Sequence, residues 1–259
     1  MELNPVEIRL LRRFRKMYMV TAFLVSLAMT AVLLLTVFNL PAFGKAGNPA
    51  ENEVIGRYIE KGLEETGAVN IVAAVILDYR AFDTLGETLV LFTALVAVLM
   101  LLKDETGVFN RRYRERSKFE PEKDQIFRSV AGMLIPCLLV FSIYIIVNGH
   151  LSAGGGFAGG AILGATLVLY NIAYGLEKAR GFINEKNFLR FITAALLFYS
   201  VVKGYSFFTG GNHLPSVIPL GFPGSIFSGG LILPLNITVG IVVACVVYGA
   251  FCLFNRGGL

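Results

Sequence analysis

Six long stretches without charged residues constrain the fold more than any other feature of this sequence. They are mostly apolar and cover residues 17–40, 88–102, 129–147, 157–176, 191–202 and 229–254. A helix needs about 20 apolar residues to cross the hydrocarbon core of a bilayer. Four stretches reach that length unaided, and the other two reach it only by including Glu87 or Lys203. We therefore expect an all-α integral membrane protein with about six transmembrane helices.

The first stretch follows basic residues and therefore resembles a secretory signal. It is 24 residues long (17–40), whereas the apolar region of a signal peptide has roughly 7–15 residues. We expect a retained transmembrane anchor.

The net charge of +5 reports membrane orientation and not nucleic-acid binding. Cations cluster before the first stretch, between the second and third, and between the fourth and fifth, whereas residues 210–230 contain neither lysine nor arginine. Such alternation is typical of membrane proteins, whose cytoplasmic loops are enriched in lysine and arginine. It predicts a multi-pass protein of the cell membrane with both termini cytoplasmic, in contact with lipid and with no nucleic-acid partner.

A polar, basic linker at residues 105–124 divides the chain into two expected modules. Residues 1–104 contain two of the apolar stretches, and residues 125–259 contain the other four and most of the glycine. Within the first module, the apolar run at 68–77 is too short to span a bilayer. One helix from Gly67 to Leu102 would be about 54 Å long, so we expect a break in the charged stretch 78–84.

Four charged residues lie at and after this expected break: Asp78, Arg80, Asp83 and Glu87. On a helix, Asp83 and Glu87 would lie on the same face. Two negative charges this close repel each other, so one of the two carboxylates could take up and release a proton. The alternative for Asp78, Arg80 and Asp83 is an ion-paired turn at the membrane surface, with Asp83 as an anion at a helix N-terminus. For Glu87, within a span, a place on an ion path and a role in anchoring the helix remain open.

Lys203 lies in the fifth span, thirteen residues after Arg190 and seven before Gly210. Its ammonium group can reach water at the membrane surface, because the aliphatic part of the lysine side chain is long and flexible. Alternatively, it lies on a proton or ion path, or pairs with a carboxylate of a neighbouring subunit. A direct pair with Glu87 is a further alternative.

A glycine-rich run precedes the fourth span. Gly154, Gly155 and Gly156 predict a break in the backbone there, and Gly156, Gly160 and Gly164, with Ser152, recur every four residues. Small residues at this spacing form a helix face for close packing in membranes. His150 lies at the break, either as a group that titrates near neutral pH or as a hydrogen-bonded structural residue.

Cofactor chemistry has little support in the sequence. The three cysteines lie inside apolar stretches, and there is no C-x-x-C, H-E-x-x-H or G-K-[ST] motif. We expect this chain to contain no catalytic centre, no metal and no cofactor.

Two stretches resemble known families. Residues 149–157 (GHLSAGGGF), with the spans around them, resemble the B subunit of Mrp-type multisubunit sodium/proton antiporters. Residues 69–87 resemble the C-terminal end of the Mrp A subunit and the small E-type subunit of archaeal membrane-bound hydrogenases. The B-subunit pattern has proline before its three glycines, where this chain has Ala153, so no role of that proline is carried over.

The resemblance implies a non-catalytic subunit of a larger assembly that exchanges sodium for protons, with other membrane subunits as partners. Joining the two modules in one chain points to the membrane arm of an archaeal redox-driven complex of the hydrogenase or sulfur-reducing type. Two other functions stay open: a structural scaffold, and a self-contained secondary transporter, although such transporters commonly contain inverted repeats.

Overall fold

The computed structural model describes residues 5–40, 44, 53–102, 124–175, 185–212 and 217–256. Within these ranges all regular elements are helical. They are α1 (Pro5–Phe38), α2 (Glu53–Thr66), α3 (Ile71–Ala74), a π-helix (Val75–Tyr79), α4 (Ala81–Leu102), α5 (Gln125–Val147), α6 (Gly156–Tyr174), α7 (Glu185–Gly211) and α8 (Ile232–Arg256).

Six of these helices are long and apolar enough to cross a membrane: α1 and α4 to α8. The expected number of spans is therefore confirmed for the part of the chain that the structure describes. The predicted linker, apart from Asp124, lies outside the described residues. The side chain of Asp124 accepts hydrogen bonds from the backbone N–H groups of Ile126 and Phe127, so it caps the N-terminus of α5.

By its contacts the chain divides into two units, Met1–Ile55 and Gly56–Leu259. The first unit contains α1, in which two threonine hydroxyls donate to backbone carbonyls of the same helix. Thr30 donates to the carbonyl of Ser26, and Thr36 to that of Val32. Such bonds provide a partner for a threonine hydroxyl on an apolar helix.

The second unit is organised around α8, which has the largest buried share of the six spans. It packs against α4, α5, α6, α7 and the π-helix. One cluster of buried side chains joins Leu95 of α4, Ile192 of α7 and Val242 of α8. A second cluster joins Leu77 of the π-helix to Leu235 of α8. The core therefore combines residues from both sides of the predicted linker.

The outward faces of the second unit are apolar. Val90 of α4, Met133 of α5 and Phe207 of α7 are each exposed over more than two thirds of their surface. Lipid or neighbouring subunits cover such faces in a membrane protein, because apolar patches of this extent are rare on soluble monomers.

The break predicted between residues 78 and 84 is confirmed, and it lies at Arg80. The π-helix ends at Tyr79, and α4 begins at Ala81. The short apolar run before it forms α3 and most of the π-helix, so it does not extend α4 into an overlong span.

Candidate functional site

Lys203 of α7 and Asp78 of the π-helix form an ion pair. The Lys203 Nζ lies 2.9 Å from Asp78 Oδ1, and the exposed fractions of the two side chains are 4% and 37%. The lysine is therefore enclosed by protein, whereas the carboxylate is half-buried. A buried ammonium requires a counter-charge. Asp78, which lies 125 residues earlier in the chain, provides it.

The π-helix determines where Asp78 lies. Each turn of a π-helix contains an extra residue relative to an α-helix, and such segments are frequent at functional sites. The backbone N–H of Arg80 donates to the carbonyl of Val75 at 2.8 Å, five residues earlier. Thr84 Oγ1 donates to the carbonyl of Ile76 at 2.6 Å. A backbone bond and a side-chain bond thus satisfy two carbonyls next to the break.

The helix α7 holds this break at two points one turn apart. Tyr199 is fully buried, and its hydroxyl donates to the carbonyl of Ala81 at 2.9 Å. Four residues later, Lys203 reaches Asp78. Tyr199 was not identified from the sequence, because an aromatic residue in an apolar span gives no sign of a polar partner.

Arg80 and Asp83, which the sequence grouped with Asp78, form a separate ion pair. Arg80 Nη2 and Asp83 Oδ2 are 2.6 Å apart, and both side chains are more than half exposed. Asp83 lies in the first turn of α4. The alternative of an ion-paired turn thus describes Arg80 and Asp83, whereas Asp78 pairs with Lys203.

Glu87 lies one turn after Asp83 on α4 and is exposed. Among the described residues it forms no salt bridge. The lysine considered as its partner is paired with Asp78, so the structure separates the two charges that the sequence singled out within spans.

The glycine-rich run lies in a turn between α5 and α6. Gly155 has φ of +132°, a conformation that other residues rarely adopt. A Cβ atom on Gly149 would stand 2.6 Å from the Cα of Gly155, so the turn closes on itself with no room for a side chain. His150 is fully buried in this turn, and its Nε2 lies 3.4 Å from the carbonyl oxygen of Ser225.

Asn70, just before α3, binds this turn through three hydrogen bonds. Its backbone N–H donates to the His150 carbonyl at 2.9 Å, and its amide nitrogen donates to the carbonyls of Gly149 and Ser152 at 2.8 and 2.9 Å. Its side-chain oxygen accepts from Val72 N, which caps α3. Asn70 was missed, although asparagine before an apolar run is a helix-start signal.

The three glycines of the face predicted on α6 lie against α8. Cβ atoms built on Gly156, Gly160 and Gly164 would stand 2.5 Å from Asn236 O, 2.6 Å from Gly240 O and 2.8 Å from Val247 Cβ. Because Cβ atoms do not approach other heavy atoms so closely, these glycines let the two helices touch. Ser152 is not part of this face, since it lies in the turn before α6.

Outside the spans, Glu65 of α2 joins α2 to the π-helix. Arg57 binds it with bonds of 2.9–3.1 Å, and the Tyr79 hydroxyl also donates to it. The hydrogen bond from Arg57 lowers the pKa of Glu65 below its ordinary value. Burial and the bond to Glu65 raise the pKa of Tyr79 to about 12. The phenol therefore remains protonated at neutral pH and donates to a carboxylate that stays ionised.

Within the described ranges, no three histidine, cysteine, aspartate or glutamate residues form a group that would hold a metal ion.

Two family profiles match successive parts of the chain. The profile of MbhE, the E-type subunit of the membrane-bound hydrogenase (MBH), matches residues 11–114. A domain related to the MnhB subunit of Na⁺/H⁺ antiporters matches residues 126–249.

Among curated proteins, the chain is 31% identical over 193 residues to the uncharacterized protein MJ1307 of Methanocaldococcus jannaschii. That match covers 67% of this chain and 72% of the relative.

Two solved structures have a similar fold. One is a chain of the membrane-bound sulfane sulfur reductase, an archaeal respiratory membrane complex, with a TM-score of 0.61 and 30% identity; 90% of this chain and 96% of that chain are covered. The other belongs to the Mrp complex of Dietzia sp. DQ12-45-1b, with a TM-score of 0.62 and 25% identity; all of this chain covers 26% of that one. The chain is therefore a multi-pass membrane subunit of an antiporter module, and it belongs to the family in which an MbhE-related part precedes an MnhB-related domain.

Proposed function

We propose that this chain provides part of the ion path in a multisubunit sodium/proton antiporter module, with the Asp78–Lys203 pair as its central element. The single observation that carries the proposal is the 2.9 Å ion pair between a buried lysine and a half-buried aspartate at a helix break. Ionisable groups within spans are costly, at about 2.5 kcal/mol or more for a central charge, and they commonly mark ion paths.

The unequal exposure of the two side chains supports exchange of one cation for another. Asp78 can accept a cation from its exposed side, but doing so weakens its bond to Lys203. A buried ammonium without a partner is unfavourable, so Lys203 would then release its proton. One cation enters as one proton leaves, and the net charge of the site stays constant.

The other charged candidates would extend this path. Asp83 and Glu87 lie one turn apart on α4, next to the break. Arg80 pairs with Asp83, which would lie at the entrance of the proposed ion path. Glu87 is exposed and has no ion-pair partner among the described residues, so we propose that a neighbouring subunit supplies one. His150 is a further candidate, buried in the glycine turn.

The parent assembly is proposed to be an archaeal redox-driven complex in which other subunits carry the redox chemistry and this chain has no catalytic centre. The likeness to a chain of the archaeal sulfane sulfur reductase supports this assignment. Sodium as the coupling ion is supported by the description of the MnhB-related domain. The partners are the other membrane subunits, and the location is the cell membrane.

The test is flux in vesicles containing the complete complex. Lys203→Met, Asp78→Asn and Glu87→Gln remove charge while approximately keeping shape. We expect each to depress sodium-dependent proton flux, with subunit content unchanged. Lys61→Met is the matched control, because Lys61 is an exposed lysine of α2, and it should retain full flux.

Other outcomes would favour the alternative functions. Full flux in all three variants would indicate that the chain is a structural scaffold. Loss of assembly in all three would indicate that the charges have a structural role. Ion flux from the chain reconstituted alone would instead indicate a self-contained secondary transporter.

A further inference from the structure

Three buried polar atoms near the glycine turn have no hydrogen-bond partner in the described part of the chain. They are His150 Nδ1, Ser228 Oγ and Asn236 Nδ2. The three residues are exposed over 0%, 1% and 2% of their surface. Buried polar groups are nearly always hydrogen-bonded to protein or ordered water, so three orphans in one region require an explanation.

Short distances bring these residues to the same part of the fold. Asn236 Nδ2 lies 2.9 Å from the Cβ position of Gly149, the residue before His150. His150 Cδ2 lies 3.6 Å from the Cβ position of Gly229, the residue after Ser228. Asn236 thus lies beside the residue that precedes His150, and the residue that follows Ser228 lies beside the His150 ring.

The hydrogen bonds that these residues already make indicate whether each unpaired atom is a donor or an acceptor. Asn236 Oδ1 accepts from Gly156 N at 2.9 Å, so its Nδ2 faces the other way as a donor. The carbonyl of Ser225 lies near His150 Nε2 and favours the tautomer protonated there. His150 Nδ1 is then an acceptor, and the Ser228 hydroxyl can act in either role.

We propose that His150, Ser228 and Asn236 together bind a buried water molecule. One donor, one acceptor and one hydroxyl match the two to four hydrogen bonds that an internal water makes. The same set disfavours a sodium ion, because hard cations prefer oxygen ligands and the amide presents N–H. This site is separate from the Asp78–Lys203 pair, and its occupancy does not depend on the function proposed for that pair.

Electron cryomicroscopy of the intact complex, at a resolution that resolves ordered water, tests the site directly. We expect one density within hydrogen-bond distance of at least two of the three atoms, equally in sodium and in choline buffer. Absence of density, density only in sodium, or a neighbouring subunit's side chain in its place would overturn the proposal.

The sign of a stability change gives an independent test. If Ser228 Oγ binds water, Ser228→Ala removes a hydrogen bond and should lower the apparent melting temperature of the complex. If the hydroxyl is truly unpaired, its removal should raise the melting temperature or leave it unchanged, which would contradict the proposal. Ser152→Ala is the control, since Ser152 is an exposed serine of the glycine turn, and it should change little.

Discussion

Lys203 and Asp78 illustrate how burial decides the consequence of losing a charge. The lysine side chain is nearly fully enclosed, whereas more than a third of the aspartate side chain reaches the protein surface. Removing the aspartate would leave a buried ammonium without a partner. Removing the lysine would leave a carboxylate that can still be hydrated or protonated.

This asymmetry predicts the order of stability among three variants of the complex. Asp78→Asn should destabilise by roughly 3 kcal/mol, as expected when one partner of a buried pair is removed, and Lys203→Met should cost less. Lys203→Met added to Asp78→Asn should recover most of the loss, because the unpaired charge is gone. Apparent melting temperatures of the assembled complex measure all three, and strictly additive losses would show that the pair does not act as a unit.

At the scale of helices, α6 and α8 pack closely through glycine. Three glycines of α6 at four-residue spacing leave no space for a side chain against the backbone of α8 or its valines. Gly159 faces α5 in the same way, with its Cβ position 2.9 Å from the carbonyl of Ser142. The helix α6 is thus held between two neighbours, and its first residue Gly156 donates to the side chain of Asn236.

A single methyl group should therefore be enough to disturb this contact. Gly160→Ala places a Cβ 2.6 Å from the carbonyl oxygen of Gly240, and we expect a loss of about 1–3 kcal/mol through overpacking. Gly160→Leu should prevent assembly, whereas Leu163→Ala, off the glycine face, should be mild.

The matched control is Gly204→Ala in α7, where nothing lies within 4 Å of the added Cβ. Alanine in a helix interior is ordinarily favoured over glycine by about 0.5–1 kcal/mol, so this variant should be as stable as the wild type or more so. Melting temperature and subunit content of the purified complex distinguish the two glycine positions. Equal behaviour of Gly160→Ala and Gly204→Ala would refute the packing explanation.

At the scale of the whole molecule, contacts within the second unit join the two proposed modules, 1–104 and 125–259. The helix α4 packs against α7 and α8, and Asn70 binds the glycine turn between α5 and α6. The Asp78–Lys203 pair also crosses from one proposed module to the other. Covalent fusion of the two parts is therefore matched by a continuous set of contacts between them.

The proposed topology, with both termini cytoplasmic, can be tested by labelling from outside the cell. All three native cysteines, Cys137, Cys245 and Cys252, would first be replaced by serine. A cysteine introduced at Asn52 or Asn212 should react with an impermeant reagent, whereas one at Tyr113, in the basic linker, should not. Positions 52 and 113 lie outside the described residues. External labelling at Tyr113 would contradict the topology.

Features that depend on local physics were predictable from the sequence alone. The number of candidate spans follows from the lengths of the apolar stretches, and the break near Arg80 follows from a charged interruption in an overlong apolar region. The glycine face of α6 follows from the four-residue spacing that places side chains on one side of a helix. Each property is set by residues close together in the chain.

Tertiary structure alone decided which groups meet. Lys203 pairs with Asp78 and not with Glu87, because Tyr199 and Lys203 of α7 both reach the break between the π-helix and α4. Asn70, Tyr199 and Asn236 were not singled out from the sequence, since their importance lies in partners at least 79 residues away. Apolar patterning specifies that helices form and which faces are buried, but many helix arrangements bury the same faces. The polar contacts exist only in the arrangement that the whole chain adopts.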